Sequence, residues 1–309
     1  MPAIIVDNIV KKYQVEKTEV IALNGISFEV AKAELFGIVG PDGAGKTSLF
    51  RVLTTLLLAD SGHAKIEGLD VVTDYKKIRK LVGYMPGRFS LYQDLSVEEN
   101  LNFFATIFNT SILENYDLIK DIYQQIEPFK KRRAGKLSGG MKQKLALCCA
   151  LIHNPSILFL DEPTTGVDAV SRKEFWEMLQ RLKLQGITIL VSTPYMDEAS
   201  MCDRVALLQN GDILAIDKPA NINLQFSHPL WAVKASDMFA LLKKMKAWDA
   251  VYSCYSFGEY YHVVMKSDFT GSKEISEYLQ NLKFQEVEVQ KIEANIEDSF
   301  MALMNTSHA

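Results

Sequence analysis

A glycine-rich segment, residues 40–47 (GPDGAGKT), places the tightest limit on what this chain can fold into. It follows an apolar strand pattern over residues 34–39 and precedes a helix pattern over residues 47–58. Glycines let the backbone wrap closely, so that successive N–H groups and the helix N-terminus point at a phosphate. In such a loop the Lys46 ammonium reaches the β- and γ-phosphates and the Thr47 hydroxyl binds Mg²⁺. A chance match in a glycine-bearing turn is the alternative, and the flanking strand and helix argue against it.

Two carboxylates, Asp161 and Glu162, end a second apolar strand pattern over residues 157–160. Asp161 is predicted to hold Mg²⁺, and Glu162 to orient or activate the attacking water. On its own, such an acidic pair is more often a solvated strand end. Together with the glycine-rich loop, it indicates a catalytic site for phosphoryl chemistry.

A third motif, LSGGM at residues 137–141, opens a predicted helix over residues 140–152. The tip of this helix carries the Ser138 hydroxyl and two glycines, Gly139 and Gly140. A tip of this kind can hydrogen-bond a phosphate, with the help of a partial positive charge that contributes about 0.3–1 kcal/mol. A plain helix cap made by Ser138 is the alternative, and it is the better interpretation when the motif is taken alone.

The first two thirds of the chain alternate short β-rich runs with helical patterns, which favours an α/β fold. Strands are predicted over residues 3–6, 34–39, 81–84, 157–160, 188–192 and 204–208. Helices are predicted over residues 47–58, 97–108, 140–152, 171–184 and 196–200. Two of the strand patterns are almost continuously apolar, as in strands that are covered on both faces.

The pattern breaks at residues 218–229 (KPANINLQFSHP), which carry two prolines and few periodic apolar residues. We therefore predict a first domain over residues 1–218, a linker over 219–229 and a small domain over 230–309. The small domain is predicted to contain a strand at 231–235, a helix at 237–246, strands at 250–257 and 259–266, a helix at 272–283, a strand at 286–292 and a helix at 296–304. The βαββαβ order resembles a ferredoxin-like α+β unit.

Composition limits the partners and the compartment. The net charge of −4 lacks the basic surplus of a dedicated nucleic-acid binder. The longest apolar run, residues 145–160, is interrupted by polar residues and proline and is too short to cross a bilayer. The N-terminus lacks the pattern of a secretory signal, and the four cysteines show no metal-binding spacing. We expect a cytoplasmic protein whose membrane role comes through a partner.

The glycine-rich loop, the stretch LSGGMKQKLALCCALIHNPSILFLDEP and TTGVD (164–168), in this order, resemble the ABC (ATP-binding cassette) ATPase family. The resemblance covers residues 3–218 and implies a P-loop NTPase fold of ABC ATPase type with a helical subdomain. It also implies ATP and Mg²⁺ as cofactors, ATPase activity and a head-to-tail dimer. In such a dimer the 138–140 tip faces the γ-phosphate that the other subunit holds, and Asp168 lies at the dimer seam.

The resemblance also gives roles to individual residues. Tyr13 matches the aromatic side chain that stacks on adenine, although without the resemblance it is only an exposed aromatic beside two lysines. Asp161 and Glu162 match the catalytic carboxylates, with Thr47 and Asp161 as metal ligands. The residues expected to bind the nucleotide are Tyr13, Gly40, Pro41, Asp42, Gly43, Ala44, Gly45, Lys46, Thr47, Ser48, Ser138, Gly139 and Gly140.

Two positions depart from the family pattern. Gly87 stands where the family usually has a glutamine that contacts Mg²⁺ and the attacking water. Pro194 stands where the family has a histidine that contacts the γ-phosphate. Neither residue has a side-chain donor or acceptor. One interpretation is tolerated drift, with hydrolysis carried by Glu162; the one we favour is a degenerate site of this chain in a heterodimer whose other site is competent.

These observations predict the ATP-binding subunit of an ABC transporter, peripheral on the cytoplasmic face of the cell membrane. The expected partners are transmembrane permease subunits and a second ATPase subunit, with no nucleic acid. The C-terminal domain, ending IEDSFMAL (296–303), looks like the tail of ATPases from drug and small-molecule exporters of the ABC-2 type. Residues 89–104 lie where the family docks its membrane subunit, although for Phe103 and Phe104 we favour a place in the core.

Two other function classes remain open at this point. A nucleotide-dependent regulatory subunit that hydrolyses nothing useful is supported by Gly87 and Pro194 and opposed by Glu162. A soluble, non-transport ABC protein acting in translation or DNA repair would carry two cassettes or long coiled-coil arms, and the sequence shows neither.

Overall fold

The computed structural model describes residues 1–266 and 271–306, without the side chains of residues 305 and 306. The chain forms two compact units, Met1–Pro219 and Ala220–Ala309. A short helix, Pro219–Leu224, occupies half of the segment for which the sequence predicts a linker. Its Ile222 side chain is buried, and a proline at the first helical position fits because the N–H that it lacks has no partner there.

The first unit is built around a six-stranded sheet and a smaller four-stranded sheet. Its strands are β1 (Ile4–Val15), β2 (Thr18–Val30), β3 (Leu35–Val39), β4 (Ser61–Ile66), β5 (Leu69–Asp70), β6 (Val82–Met85), β7 (Ile157–Asp161), β8 (Thr188–Thr193), β9 (Arg204–Gln209) and β10 (Asp212–Asp217). Its helices are α1 (Lys46–Leu53), α2 (Tyr75–Leu81), α3 (Val97–Ile107), α4 (Tyr116–Tyr123), α5 (Gly139–Leu151), α6 (Ala169–Leu184) and α7 (Met196–Ala199), and α8 is Pro219–Leu224.

The larger sheet has the order β10-β9-β3-β8-β7-β6, parallel except for β10. Every residue of β3, β7 and β8 is buried, which accounts for their almost continuously apolar sequences. The register pairs Asp161 with Ser192 and Val39 with Thr193. The glycine-rich loop after β3 and the polar ends of β7 and β8 therefore meet at the carboxyl edge of the sheet, where ligands bind in open α/β folds.

The smaller sheet, with the order β2-β1-β4-β5, is antiparallel, and the sequence predicts only residues 3–6 of it. Strand β1 and the first half of β2 alternate poorly between buried and exposed positions, whereas residues 26–30 of β2 alternate regularly. Register shifts interrupt the β1–β2 pairing between Val6 and Ile9, Ile9 and Val10, and Lys11 and Lys12. Such irregularities break the two-residue period by which a half-buried strand is detected, and so these strands were missed.

The predicted helix over residues 47–58 is too long, because α1 ends at Leu53. The Thr54 hydroxyl donates to the carbonyl of Phe50 at 2.7 Å, and Thr55 takes a φ of 63°. The amides of Leu56 and Leu57 then both donate to the carbonyl of Arg51, which closes the helix. Helices α3, α5, α6 and α7 begin and end within two residues of their predictions, whereas α2 and α4 were not predicted.

The segment between β6 and β7 is helical, as expected for a helical subdomain, and contains α3, α4 and α5. Helix α3 begins with a capping box, in which Ser96 and Glu99 satisfy each other's backbone N–H groups. The expectation that Phe103 lies in the core is wrong, since its side chain is 37% exposed. It packs edge-on against Tyr92 and Phe104 at the surface of α3, and this local aromatic contact replaces burial in the core.

The second unit continues from α8 with strand β11 (Leu230–Lys234), helix α9 (Met238–Lys246), strands β12 (Val251–Phe257) and β13 (Tyr260–Met265), helix α10 (Ser272–Asn281), strand β14 (Glu288–Lys291) and helix α11 (Ile296–Thr306). The strands form an antiparallel sheet in the order β12-β13-β11-β14. Helix α11 is tied to the sheet by Asp298, whose carboxylate accepts from the Tyr255 hydroxyl and the His262 ring, each at 2.6 Å.

Among residues 1–266 and 271–306, no helix combines the length and the apolar character needed to cross a membrane. The four cysteines are buried and unpaired, and burial raises the pKa of each thiol. Because the thiolate is the reactive form, these side chains are packing groups of low reactivity.

Candidate functional site

The glycine-rich loop wraps around the position where β3 passes into α1. Gly45, the residue before α1, has a φ of 107°, and a Cβ there would lie 2.1 Å from the carbonyl oxygen of Ala22. A Cβ on Gly40 would lie 2.1 Å from the carbonyl oxygen of Leu208. Only glycine fits these two positions. At both, a neighbouring strand lies too close for a side chain, and Gly45 also has a backbone conformation that other residues rarely adopt. The N-terminus of α1 therefore opens directly onto the concave side of the loop.

The Lys46 ammonium is held inside this loop and is only 3% exposed. It donates to the carbonyl oxygens of Gly40 at 2.8 Å and Pro41 at 2.9 Å. It also forms an ion pair with the Glu162 carboxylate at 3.0 Å. A cavity of about 290 Å³ lies over the loop, and it is lined by Ala22, Asp42, Gly43, Gly45, Lys46, Thr47, Ser48 and Glu162. The loop thus presents a desolvated cation and several backbone N–H groups to one small volume, which is what an anionic phosphate requires.

Asp161 lies at the end of β7 and is 2% exposed. Burial raises the pKa of its carboxyl group, and the nearby Glu162 charge acts in the same direction. Hydrogen bonds from Ser192, at 2.6 Å, and from Thr47 oppose this increase, as does the charge of Lys46. A desolvated carboxylate of this kind gains more from a bound cation than an exposed one does.

The Asp161 carboxylate and the Thr47 hydroxyl form an all-oxygen donor pair, which suits Mg²⁺. Among the described residues there is no group of three or more His, Cys, Asp and Glu side chains that could hold a metal ion. A cation bound between these two oxygens would therefore need further oxygens from phosphate and water. Magnesium usually takes that form in phosphate-binding sites, so the residues present fit it.

Glu162 follows Asp161 with a φ of 50°, which is rare for a residue with a side chain. Its N–H donates to the carbonyl and the hydroxyl of Ser192, at 3.1 Å and 2.9 Å, which holds this conformation. The carboxylate is 21% exposed and lines the cavity over the loop. A strained backbone that is held in place beside a cavity is a common feature of catalytic groups.

Tyr13 lies on β1, and its hydroxyl is 3.1 Å from the Ser48 hydroxyl, two residues after Lys46. The structure thus brings Tyr13 to the start of α1, beside the glycine-rich loop. The Lys11 ammonium lies 5.7 Å from the centre of the Tyr13 ring. The role of Tyr13 in adenine binding stays a prediction.

The 138–140 tip is built as a helix N-terminus, with the Met141 N–H donating to the Ser138 hydroxyl at 3.3 Å. Ser138 and Gly139 are exposed, while Gly140 is buried against Ser171 on α6. None of the residues that line the cavity over the glycine-rich loop comes from this tip. Within one chain the tip and the loop therefore do not form a common cavity.

Of the two positions that depart from the family pattern, Gly87 lies beside Asp161 and Glu162, and Pro194 directly follows the end of β8. A Cβ on Gly87 would lie 3.0 Å from the carbonyl oxygen of Asp161 and 3.7 Å from the Cβ of Glu162. Pro194 directly follows Thr193, whose carbonyl accepts from the Gly40 N–H at 3.3 Å. Both positions are thus adjacent to the residues of the site, and neither supplies a polar side chain.

Sequence reasoning missed the polar residues that support the site, above all Ser192, Thr193, Thr164 and Glu198. Ser192 and Thr193 end an apolar parallel strand next to the one that ends in Asp161. That adjacency is a signal that could have identified them, because neighbouring parallel strands end at the same edge of a sheet. Glu198 lies on α7 in a segment without a motif, and no sequence signal marked it.

Comparisons with known proteins give a consistent result. Residues 23–165 match the family model for ABC transporters. A probable multidrug ABC transporter ATP-binding protein of Escherichia coli (strain K12) is 45% identical over 185 residues, which are 59% of this chain and 32% of that protein. A Nod factor export ATP-binding protein I of Burkholderia thailandensis is 37% identical over 214 residues, 68% of this chain and 70% of that protein.

The similarity extends to three dimensions. A solved ATP-binding subunit of an ABC transporter has a TM-score of 0.65 at 26% identity, and the match covers 72% of this chain and 93% of that one. The matched segment spans about a third of the length of the Escherichia coli relative.

Proposed function

This chain belongs to the family of ABC transporter ATP-binding proteins. We propose that it is the ATP-binding subunit of a membrane transport complex and that it acts on the cargo only through a permease. The family and the α/β fold of the P-loop NTPases agree with what the sequence predicts. The observation that carries the proposal is that Lys46, Thr47 and Glu162 line one small cavity at the carboxyl edge of the sheet, with the Asp161 carboxylate hydrogen-bonded to Thr47 beside it.

Each group in this site has a distinct task. The backbone N–H groups of the glycine-rich loop and the Lys46 ammonium bind the β- and γ-phosphates, and the Tyr13 ring packs on the base. Thr47 and Asp161 would hold Mg²⁺, which would neutralise charge on the phosphates. Glu162 is placed to orient a water against the γ-phosphate and to take up its proton.

The Lys46–Glu162 ion pair links phosphate binding to this last step. A γ-phosphate that engages the Lys46 ammonium competes with the Glu162 carboxylate for it, because one ammonium has three donors and two already go to backbone carbonyls. Nucleotide binding then releases the Glu162 carboxylate to act on water.

We further propose that this chain's own site turns over only weakly. A glutamine at position 87 and a histidine at position 194 would each place a polar group on the metal, the water or the γ-phosphate. Gly87 and Pro194 supply neither, although their backbones lie beside Asp161 and Thr193. We propose a complex with two ATP sites. The site of this chain retains its ATP, and hydrolysis occurs at the site of the partner. A subunit that only binds ATP and regulates its partner is the second candidate, favoured by the same two substitutions.

The relatives support an exported cargo. Two of the relatives are named for multidrug transport and for Nod factor export. We propose export as the direction of transport, with attachment to the cytoplasmic face of the membrane through a permease.

Calorimetric titration with Mg-ATP tests the proposal on the full chain. Lys46→Ala removes a charge-assisted contact to phosphate and should weaken binding by about 1.5–3 kcal/mol. Lys183→Ala is the matched control, because Lys183 also forms an ion pair, with Asp203 at 2.8 Å, but on the far part of α6. Equal affinities for wild type and Lys46→Ala would contradict the assignment of the loop.

A further inference from the structure

A buried carboxylate outside the predicted site joins the loops that frame it. Glu198, on α7, is 3% exposed. One of its oxygens accepts from the Thr164 hydroxyl at 2.8 Å, and the other accepts from the Thr193 hydroxyl. Thr164 and Thr193 are themselves 1% and 0% exposed. A buried carboxylate that is bonded on both oxygens is a rigid junction, because breaking either bond leaves a desolvated charge.

The two threonines lie on different sides of the site. Thr164 belongs to the loop of residues 163–168, which follows Glu162 and ends at Asp168, the residue before α6. Thr193 ends β8, and its carbonyl accepts from the N–H of Gly40, the first residue of the glycine-rich loop, at 3.3 Å. A continuous series of hydrogen bonds therefore runs from the glycine-rich loop through Thr193 and Glu198 to the loop of residues 163–168.

Arg172 on α6 completes this junction. Its guanidinium lies 3.3 Å from Glu198 and 2.8 Å from Asp197, and 4.4 Å from the centre of the Tyr195 ring. Arg172 thus compensates the charge of Glu198 and fixes the segment after β8 to the first turns of α6. The Asp168 carboxylate, which accepts from the Ser171 N–H at 3.0 Å, caps the same helix.

We propose that Glu198 is a positioning residue that fixes the 163–168 loop to the end of β8, so that nucleotide binding at the glycine-rich loop orders the 163–168 loop. This inference rests on the proposed function, since it requires Mg-ATP to bind at residues 40–47. Glu198 is not among the residues that line the cavity over the glycine-rich loop. It acts through Thr164 and Thr193.

Thr164→Val is the sharpest perturbation, because it keeps the shape of the side chain and removes one arm of the junction. Glu198 keeps its bonds to Thr193 and Arg172. Thr188→Val is the matched control: Thr188 is also buried, its hydroxyl accepts from the Ala33 N–H at 3.0 Å, and it lies at the opposite end of the same strand β8.

Hydrogen exchange of the full chain, with and without Mg-ATP, measures the coupling directly. In the wild type and in Thr188→Val, Mg-ATP should slow exchange in residues 40–47 and in residues 163–168. In Thr164→Val the protection of residues 40–47 should remain, while that of residues 163–168 should fall at least about fivefold, the lower end of typical coupling between sites. A general loss of packing would instead lower protection in both segments.

The outcomes separate the two claims. Absence of ATP-dependent protection at residues 40–47 in the wild type contradicts the proposed function. Protection of residues 163–168 that is the same in Thr164→Val as in Thr188→Val overturns the role of Glu198 alone. Glu198→Gln adds a test by conservative replacement, because its side-chain oxygen can still accept from Thr164 and should retain most of the protection that Thr164→Val loses.

Discussion

The asymmetry between the two ATP sites of the proposed complex can be tested at Gly139. This residue lies in the first turn of α5, is exposed, and has open space around it, with the Gly166 carbonyl oxygen 3.5 Å from the position of a Cβ. A side chain fits there without a clash, so that Gly139→Asp should leave the fold of this chain intact. In the proposed dimer, however, this tip faces the γ-phosphate that the partner holds.

The size of the effect follows from Coulomb's law. A carboxylate about 4 Å from one phosphate charge is repelled by about 4 kcal/mol at an effective dielectric constant of 20. Each 1.36 kcal/mol is a factor of ten, so this repulsion lowers the rate at the partner's site by roughly three orders of magnitude. Gly139→Asn has nearly the same volume without the charge, and should therefore cost far less than Gly139→Asp.

Glu162→Gln is the companion variant, measured in the same complex after copurification with its partners. Removal of a working general base costs roughly 10²–10⁴-fold in rate. If the site with Gly87 and Pro194 contributes little turnover, Glu162→Gln should lower the ATPase rate of the complex less than about tenfold, well below that range.

Steady-state phosphate release, with expression and assembly verified for each variant, provides the comparison. Equal damage from Glu162→Gln and Gly139→Asp would show that this chain's own site is catalytic, and the degenerate-site proposal would fail. Rapid turnover by a homodimer of this chain alone would refute it more directly.

Two further predictions concern stability. Burial raises the pKa of Asp161, so between its ordinary and its raised value the folded chain binds more protons than the unfolded chain, and stability falls as pH rises through that window. Asp161→Asn has no charge to desolvate, so it should raise the thermal unfolding midpoint at pH 7. It should also remove the Mg²⁺ dependence of ATP binding. A lower midpoint than that of the wild type would contradict the desolvation of Asp161. In the second unit, Asp298→Ala leaves Tyr255 and His262 without their shared acceptor and should lower stability by about 2–4 kcal/mol, whereas Tyr255→Phe should cost about 1 kcal/mol. Denaturant unfolding compares the two, and equal losses would contradict the central place of Asp298.

Much of the site could be predicted because its residues follow buried elements directly. The loop at residues 40–47 follows β3, and Asp161 ends β7, so that strong apolar patterns fix where these polar residues begin. The register of short parallel strands that are buried on both faces is well defined, because a shift would bury the polar residues at their ends. The sequence therefore identified both groups of residues that the structure brings together at this edge of the sheet, while their phosphate and metal roles stay predictions.

The remainder depends on contacts between distant segments. The small antiparallel sheet pairs irregularly, and α2 and α4 have only 7 and 8 residues, fewer than the window over which helical periodicity is read. Glu198 acts through Thr164, which is 34 positions away in sequence. Its surroundings, and not its position in a motif, make it an acceptor for two buried hydroxyls.

These contacts also bear on the two departures from the family pattern. A nearby hydroxyl could in principle replace the groups that Gly87 and Pro194 lack, and Ser192 and Thr193 are the closest candidates on β8. The Ser192 hydroxyl donates to Asp161 at 2.6 Å, and the Thr193 hydroxyl donates to Glu198. A hydroxyl has one proton to donate, and in each case it is already committed to a buried carboxylate. Neither side chain is therefore free to donate to a γ-phosphate, and neither replaces the groups that Gly87 and Pro194 lack.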